Sequence, residues 1–160
     1  MKTENDDLVR FYWQKFLNSL PEDSAYRKMS YQAEGWGDSS DMADELGKLI
    51  AAGTKIATCS AVWEWQAEGK TWQEPGFITI VLDGSDHPLC IIETIEVAVK
   101  FYSEVDEIFA FDEGEGDRSL AYWRAAHKDY FSRGLPKIGR QFSEDMPLVC
   151  ERFKLIYNET

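Results

Sequence analysis

The chain has 160 residues, 44% of them hydrophobic and 14% aromatic, with six Trp, nine Phe and seven Tyr; that is the size of one domain, 1–160, with a core large enough to offset chain entropy. Its 29 acidic against 17 basic residues give a net charge of -12, which excludes the extended basic face that holds long duplex DNA and reads as a solvated, self-repelling surface. No run approaches the roughly 20 apolar residues of a membrane helix, and the Met-Lys-Thr-Glu-Asn-Asp-Asp start has no apolar leader, so a cytoplasmic protein without membrane contact is expected.

In chain order, Leu8, Tyr12, Phe16 and Leu20 fall at helical spacing behind Asn5 or Asp6 as a cap. They predict an N-terminal helix over about 6–19 that ends before Pro21 and packs on the core. A second helix is predicted after Ser39-Ser40, burying Leu46, Leu49 and Ile50 and stopping at Gly53 in a left-handed cap. From Lys55 to Trp65 the alternation of Ala57, Cys59 and Ala61 against Thr58, Ser60 and Val62 predicts a strand that breaks into a short helix. Phe77–Leu82 and Leu89–Val99 flank Asp83-Gly84-Ser85-Asp86 and read as a hairpin rich in Ile, Val and Thr. Ser103 to Asp106 reads as the capped start of a short helix through Phe109. Ser119 caps a longer helix with Leu120, Trp123, His127 and Tyr130 on one stripe. Between those helices, Asp112 to Arg118 forms an acidic, glycine-punctuated connector. A loop from Gly134 to Met146 then leads to a closing strand, Leu148–Tyr157. Without the regular spacing of parallel strand-helix-strand units, the fold class is α+β, a mixed or antiparallel barrel with helices against it.

The first chemical candidate is Gly53-Thr54-Lys55-Ile56-Ala57-Thr58, which places an ammonium and a hydroxyl three residues apart at a helix-to-strand junction. A lysine in a polar pocket with lowered pKa can take the Thr58 proton and make the hydroxyl a nucleophile; the plainer alternative is a solvated cation complementing a helix dipole. Glu113, Glu115 and Asp117 alternate in the connector and could supply a general acid, bind a metal, or stand in solvent. Arg118, Arg124, His127, Lys128, Arg133, Lys137 and Arg140 form the main basic segment. It is suited to nucleotide phosphates or short single-stranded RNA, with Trp36, Trp63 or Trp123 to stack a base, or else to pairing with nearby carboxylates. His127, on the apolar stripe, reads as a packed, hydrogen-bonded histidine and His87 as an exposed turn residue. Cys59, Cys90 and Cys150 are odd in number and widely spaced, which suggests reduced, packed thiols and neither a disulfide framework nor a zinc site.

Several segments together carry a family resemblance: Trp36-Gly37-Asp38, Met42-Ala43-Asp44-Glu45-Leu46, the Gly53–Thr58 run, Ile91-Ile92-Glu93-Thr94, Glu113-Gly114-Glu115-Gly116-Asp117-Arg118-Ser119-Leu120, and Val149-Cys150-Glu151-Arg152-Phe153. In this order, over about residues 30–157, the chain resembles ASCH-domain proteins of the PUA-like superfamily. The resemblance implies a PUA-like β-barrel flanked by helices and a cleft beside the Gly-x-Lys motif. One small branch of that family removes the acetyl group from N4-acetylcytidine with a lysine, a threonine three residues later and a distant glutamate. Lys55 and Thr58 match the first two positions; Glu115 matches the third, with Glu113 as the fallback. Where the wider family often carries Arg, two residues after the threonine, this chain has Ser60, so either Arg118 or Arg124 takes over that cation's role or this branch binds a different ligand.

Three functions follow as expectations for a pocket of nucleotide scale. The first is an amidohydrolase on an acylated nucleoside, with Lys55 as base, Thr58 as nucleophile and Glu115 as acid; it expects a lysine of depressed pKa. The second is a binding module for RNA or a modified nucleotide, in which Trp36, Ser60, Trp63, Arg118 and Arg124 contact the ligand. The third is a ribonuclease, the one reading that calls for a divalent metal; no cofactor is expected otherwise.

Overall fold

The computed structural model describes residues 4–159. In chain order the main elements are α1 (Glu4–Asn18), β1 (Gln32–Glu34), α2 (Ser40–Ala51), β2 (Ala57–Ala61), α3 (Val62–Ala67), β3 (Ile78–Leu82), β4 (Pro88–Phe101), α4 (Glu107–Glu113), α5 (Leu120–Gly134) and β5 (Pro147–Asn158). The strands form one mixed sheet in the order β1-β3-β4-β5-β2. β1 pairs parallel with β3, while β3–β4 and β2–β5 pair antiparallel. This is the expected α+β class. Among the described residues, no helix is long and apolar enough to cross a membrane.

The chain divides into two compact units, and the long strands β4 and β5 contribute residues to each. The first unit comprises the chain up to Gly53, Gly76–Glu93 and Lys154 onward. Its core joins Tyr12, Trp13 and Phe16 of α1 to Ile78, Ile80 and Leu82 of β3 and Ile91 of β4. Of the α1 stripe read from the sequence, Tyr12 and Phe16 are buried and Leu20 packs against them in part, whereas Leu8 is exposed. Ser39 caps α2 by accepting from Met42 N at 3.1 Å, and Gly53 ends the helix region with φ +79°, as a left-handed cap requires. In the β3–β4 turn, Asp83 Oδ1 accepts from Ser85 N and His87 N at 2.8 and 3.0 Å, an Asx turn that closes the expected hairpin.

The second unit comprises Thr54–Pro75 and Thr94–Phe153. Its core gathers Ala57 and Ala61 of β2, Phe109 and Ala110 of α4, Trp123 and Phe131 of α5, and Leu148 and Cys150 of β5, with Tyr102, Leu135 and Met146. The strand that breaks into a short helix is present as β2 followed directly by α3. Ser119 caps α5 as expected, accepting from Tyr122 N at 3.0 Å.

One helix departs from expectation at its start and at its end. The segment from Ser103 forms only a 3-10 turn, Tyr102–Glu104, in which Glu104 Oε1 accepts from Phe101 N at 2.9 Å. The cap of α4 is Asp106 instead, accepting from Phe109 N at 2.9 Å, because its carboxylate reaches the orphan N–H groups of the first turn. The helix continues past Phe109 through Asp112 and Glu113, which sequence reasoning placed in the connector. The predicted loop after Gly134 also opens with a 3-10 turn, Leu135–Ile138.

Candidate functional site

The second unit buries a charged cluster. Lys55, just ahead of β2, is 1% exposed, and its ammonium meets three oxygens: Glu113 Oε1 at 2.9 Å, Glu115 Oε2 at 3.0 Å and the Glu113 carbonyl at 3.3 Å. All three ammonium donors thus have acceptors. Backbone pairing fixes the approach: Ile56 N donates to Asp112 O at 2.8 Å, and Phe153 N donates to Ile56 O at 3.0 Å. α4 ends at Gly114, whose φ of +74° belongs to glycine and whose missing Cβ would sit 2.6 Å from Thr54 O. A side chain at 114 would therefore push apart the segments that carry Lys55 and Glu113.

Glu113, at the end of α4, is 2% exposed. Its Oε2 accepts from Trp123 Nε1 and lies 3.3 Å from His127 Nε2. His127 stacks on Trp123 one turn earlier in α5, with ring centroids 4.2 Å apart, and its Nδ1 faces the Trp123 carbonyl at 2.9 Å. A carbonyl and an ionised carboxylate only accept, and the two contacts together favour the protonated ring. Cys59, the middle residue of β2, completes the group. Its sulfur, a Glu113 oxygen and a His127 nitrogen all lie within 4.8 Å of one another.

Electrostatics follow from burial and pairing. Burial alone would push Glu113 up, but Lys55 and then His127 hold it well below the usual carboxylate range. Burial is the largest single influence on Lys55 and on His127 and opposes their charge; Glu113 and Glu115 together outweigh it, so both titrate above their ordinary values. Burial and the neighbouring Glu113 carboxylate raise the Cys59 thiol well above its ordinary value, and it is protonated at neutral pH. Lys55 is thus a clamped cation, not the lysine of depressed pKa expected from sequence.

The two glutamates have different surroundings. Glu113 is enclosed and engaged through both oxygens, whereas the Glu115 side chain is 22% exposed and can meet a ligand. Thr58 and Cys59 are neighbours in β2 and so point to opposite faces of the sheet. Cys59 pairs in register with Cys150, and Thr58 with Glu151. The structure brings Lys55, Glu113 and Glu115 together and turns Thr58 away from the Cys59 face.

The other expected ligand contacts have structural partners. Ser60 Oγ accepts from Trp65 Nε1 at 2.9 Å. Arg124 donates to the carbonyls of Tyr102, Ser103 and Val105. Arg118, itself at φ +65°, donates to Phe111 O at 3.0 Å and Thr54 O at 3.4 Å and lies over the Phe111 ring. Trp63 packs on the core, with the Arg140 guanidinium 4.6 Å from its ring centre. Trp123 is only 2% exposed, which removes it as a base-stacking surface. Trp36 lies in the first unit, where its indole donates to Glu34 Oε1 at 3.1 Å. His87 is exposed, as read. The member sequence reasoning missed is Cys59. His127 was read as packed, which it is, but its tie to Glu113 joins residues far apart in the chain, and only the spacing of Trp123 to His127 hinted at it.

A mixed sheet with helices and a buried lysine at the head of β2 places the molecule in the PUA-like class. The ASCH domain family model matches residues 32–157, and the chain belongs to that family. An ASCH domain from Lactobacillus crispatus is similar at 34% identity with a TM-score of 0.89, covering 95% of this chain and 96% of that one. A protein from Enterococcus faecalis is similar at 35% identity with a TM-score of 0.80, covering 93% and 88%. No curated protein sequence matches it.

Proposed function

We propose that the chain is an amidohydrolase of small acylated nucleosides such as N4-acetylcytidine, working at Lys55 and Glu115. The observation that carries this reading is the asymmetry of the clamp: one ammonium held between an enclosed carboxylate, Glu113, and a partly open one, Glu115. Glu113 keeps Lys55 charged and in place. Glu115 takes a proton from a water whose oxygen attacks the acetyl carbonyl carbon, and the enclosed Lys55 ammonium, 3.0 Å from Glu115 Oε2, holds that carboxylate in position. Collapse breaks the C–N bond, the proton on Glu115 passes to the departing amine, and cytidine and acetic acid leave, the acid giving its proton to solvent. Water takes the nucleophile's part here because β2 directs Thr58 to the face opposite Cys59.

Nucleotide-scale recognition suits a chain of charge -12, and it fits guanidinium groups at Arg118 and Arg124 already bonded to main-chain carbonyls. The test is release of cytidine from N4-acetylcytidine, followed by chromatography. The expected result is turnover by the wild type, its loss in Glu115→Gln with folding intact, and its survival in Thr58→Val. No turnover by the wild type refutes this substrate class and favours the alternatives, binding or cleavage of short single-stranded RNA.

A further inference from the structure

The geometry points to a transition-metal site, of the class zinc occupies, formed by Cys59 Sγ, Glu113 Oε2 and His127 Nε2. This assignment stands apart from amide hydrolysis, since it concerns binding of an ion and not turnover.

The three donor atoms already lie within 4.8 Å of one another. Tetrahedral zinc, with bonds of about 2.0 to 2.3 Å to nitrogen, oxygen and sulfur, needs neighbouring ligand atoms somewhat closer than that, so a small inward movement suffices. The donor chemistry selects the ion. Sulfur, imidazole and carboxylate together suit a borderline-soft cation and not magnesium or calcium, which take oxygen shells. Three protein ligands leave a fourth position for water or for the partly open Glu115.

The groups behind the donors are arranged as outer partners of a metal site commonly are. A ligating histidine usually donates its far N–H to a carbonyl or carboxylate, which fixes the tautomer and aims the free nitrogen. His127 Nδ1 already faces the Trp123 carbonyl at 2.9 Å, leaving Nε2 turned to Glu113. Lys55 holds the other Glu113 oxygen at 2.9 Å, so the carboxylate would ligate through Oε2 alone, with Trp123 Nε1 donating to that oxygen from behind.

The test uses the full chain after chelator treatment, titrated with Co2+ and then Zn2+ without any substrate. The expected result is one equivalent of Co2+ per chain, tetrahedral ligand-field bands with a thiolate-to-cobalt charge-transfer band and release of protons as Co2+ binds, and then displacement of Co2+ by Zn2+ with no further release. Cys59→Ser abolishes the charge-transfer band, His127→Gln weakens binding by at least roughly ten-fold, and Cys150→Ser, at the cross-strand partner, leaves the band in place. Absence of the band in the Co2+-treated wild type, or its persistence in Cys59→Ser, overturns the assignment. The wild-type spectrum and proton count decide the matter even if a variant fails to fold. Because no substrate is present, amidase failure and metal-site failure are read separately.

Discussion

Replacing Lys55 with Met removes the ammonium but keeps the unbranched stem, leaving Glu113 Oε1 and Glu115 Oε2 without the donor that sat 2.9 and 3.0 Å away. Glu113 is 2% exposed, so water cannot take Lys55's place without opening the core. Breaking a buried pair on one side costs about 3–5 kcal/mol, against about 0–1 kcal/mol for an exposed pair. Glu113 retains Trp123 and His127 on its other oxygen, which places the expected loss near the lower end, about 3 kcal/mol. The loss depends on pH with a definite sign. The folded-state pKa of Glu113 is depressed, so its stabilisation is present above the ordinary carboxylate value and is lost as pH falls through and below it. Lys55→Met therefore differs most from wild type near neutrality and converges on it in acid. Urea unfolding followed by tryptophan fluorescence at pH 7 and at about pH 4 measures both differences. Glu113→Gln added to Lys55→Met is expected to recover part of the loss, because no buried charge then lacks a partner. A Lys55→Met cost below about 1 kcal/mol at pH 7, or one that does not shrink in acid, refutes the reasoning.

Ser119→Ala removes the α5 cap on Tyr122 N and is expected to cost about 1 kcal/mol in the same urea assay. Gly114→Ala forces a left-handed φ on a residue with a Cβ and drives that Cβ against Thr54 O; a loss above about 1–2 kcal/mol is expected, with the Lys55–Glu113 contact disturbed. His127, whose pKa is raised because Glu113, Glu115 and the Trp123 carbonyl together outweigh burial, contributes stability that is full below its unfolded value and lost as pH rises through the folded one. NMR of the imidazole should show a midpoint above the ordinary histidine value, and Glu113→Gln should lower it.

The legibility of the fold tracks the range of the forces involved. Caps and periodicity are local, so Ser39, Ser119 and the Tyr12–Phe16 stripe announce α2, α5 and the buried face of α1. Asp83-Gly84 in the same way announces the β3–β4 turn. β1 escaped because three residues paired parallel to β3 have no period of their own to read. The α4 start escaped because Ser103 and Asp106 both offer a side-chain oxygen, and tertiary packing of Phe109 and Ala110 decides between them.

The other end of α4 governs how much of the site could be read. Lys55 with an acidic partner from the connector was given by the family resemblance; which glutamate is enclosed was not legible, because it depends on whether position 113 ends a helix or begins a loop. With the helix running on past Phe109, Glu113 falls on the inner face of the last turn, beneath Trp123 and His127, and Glu115 follows the left-handed Gly114 toward solvent. Cys59 enters the same group through its place on the core face of β2, a consequence of the β2–β5 register that no local pattern encodes. The division of labour proposed here follows from the helix boundary: the enclosed carboxylate sets the charge of its neighbours, and the open one is left for a ligand.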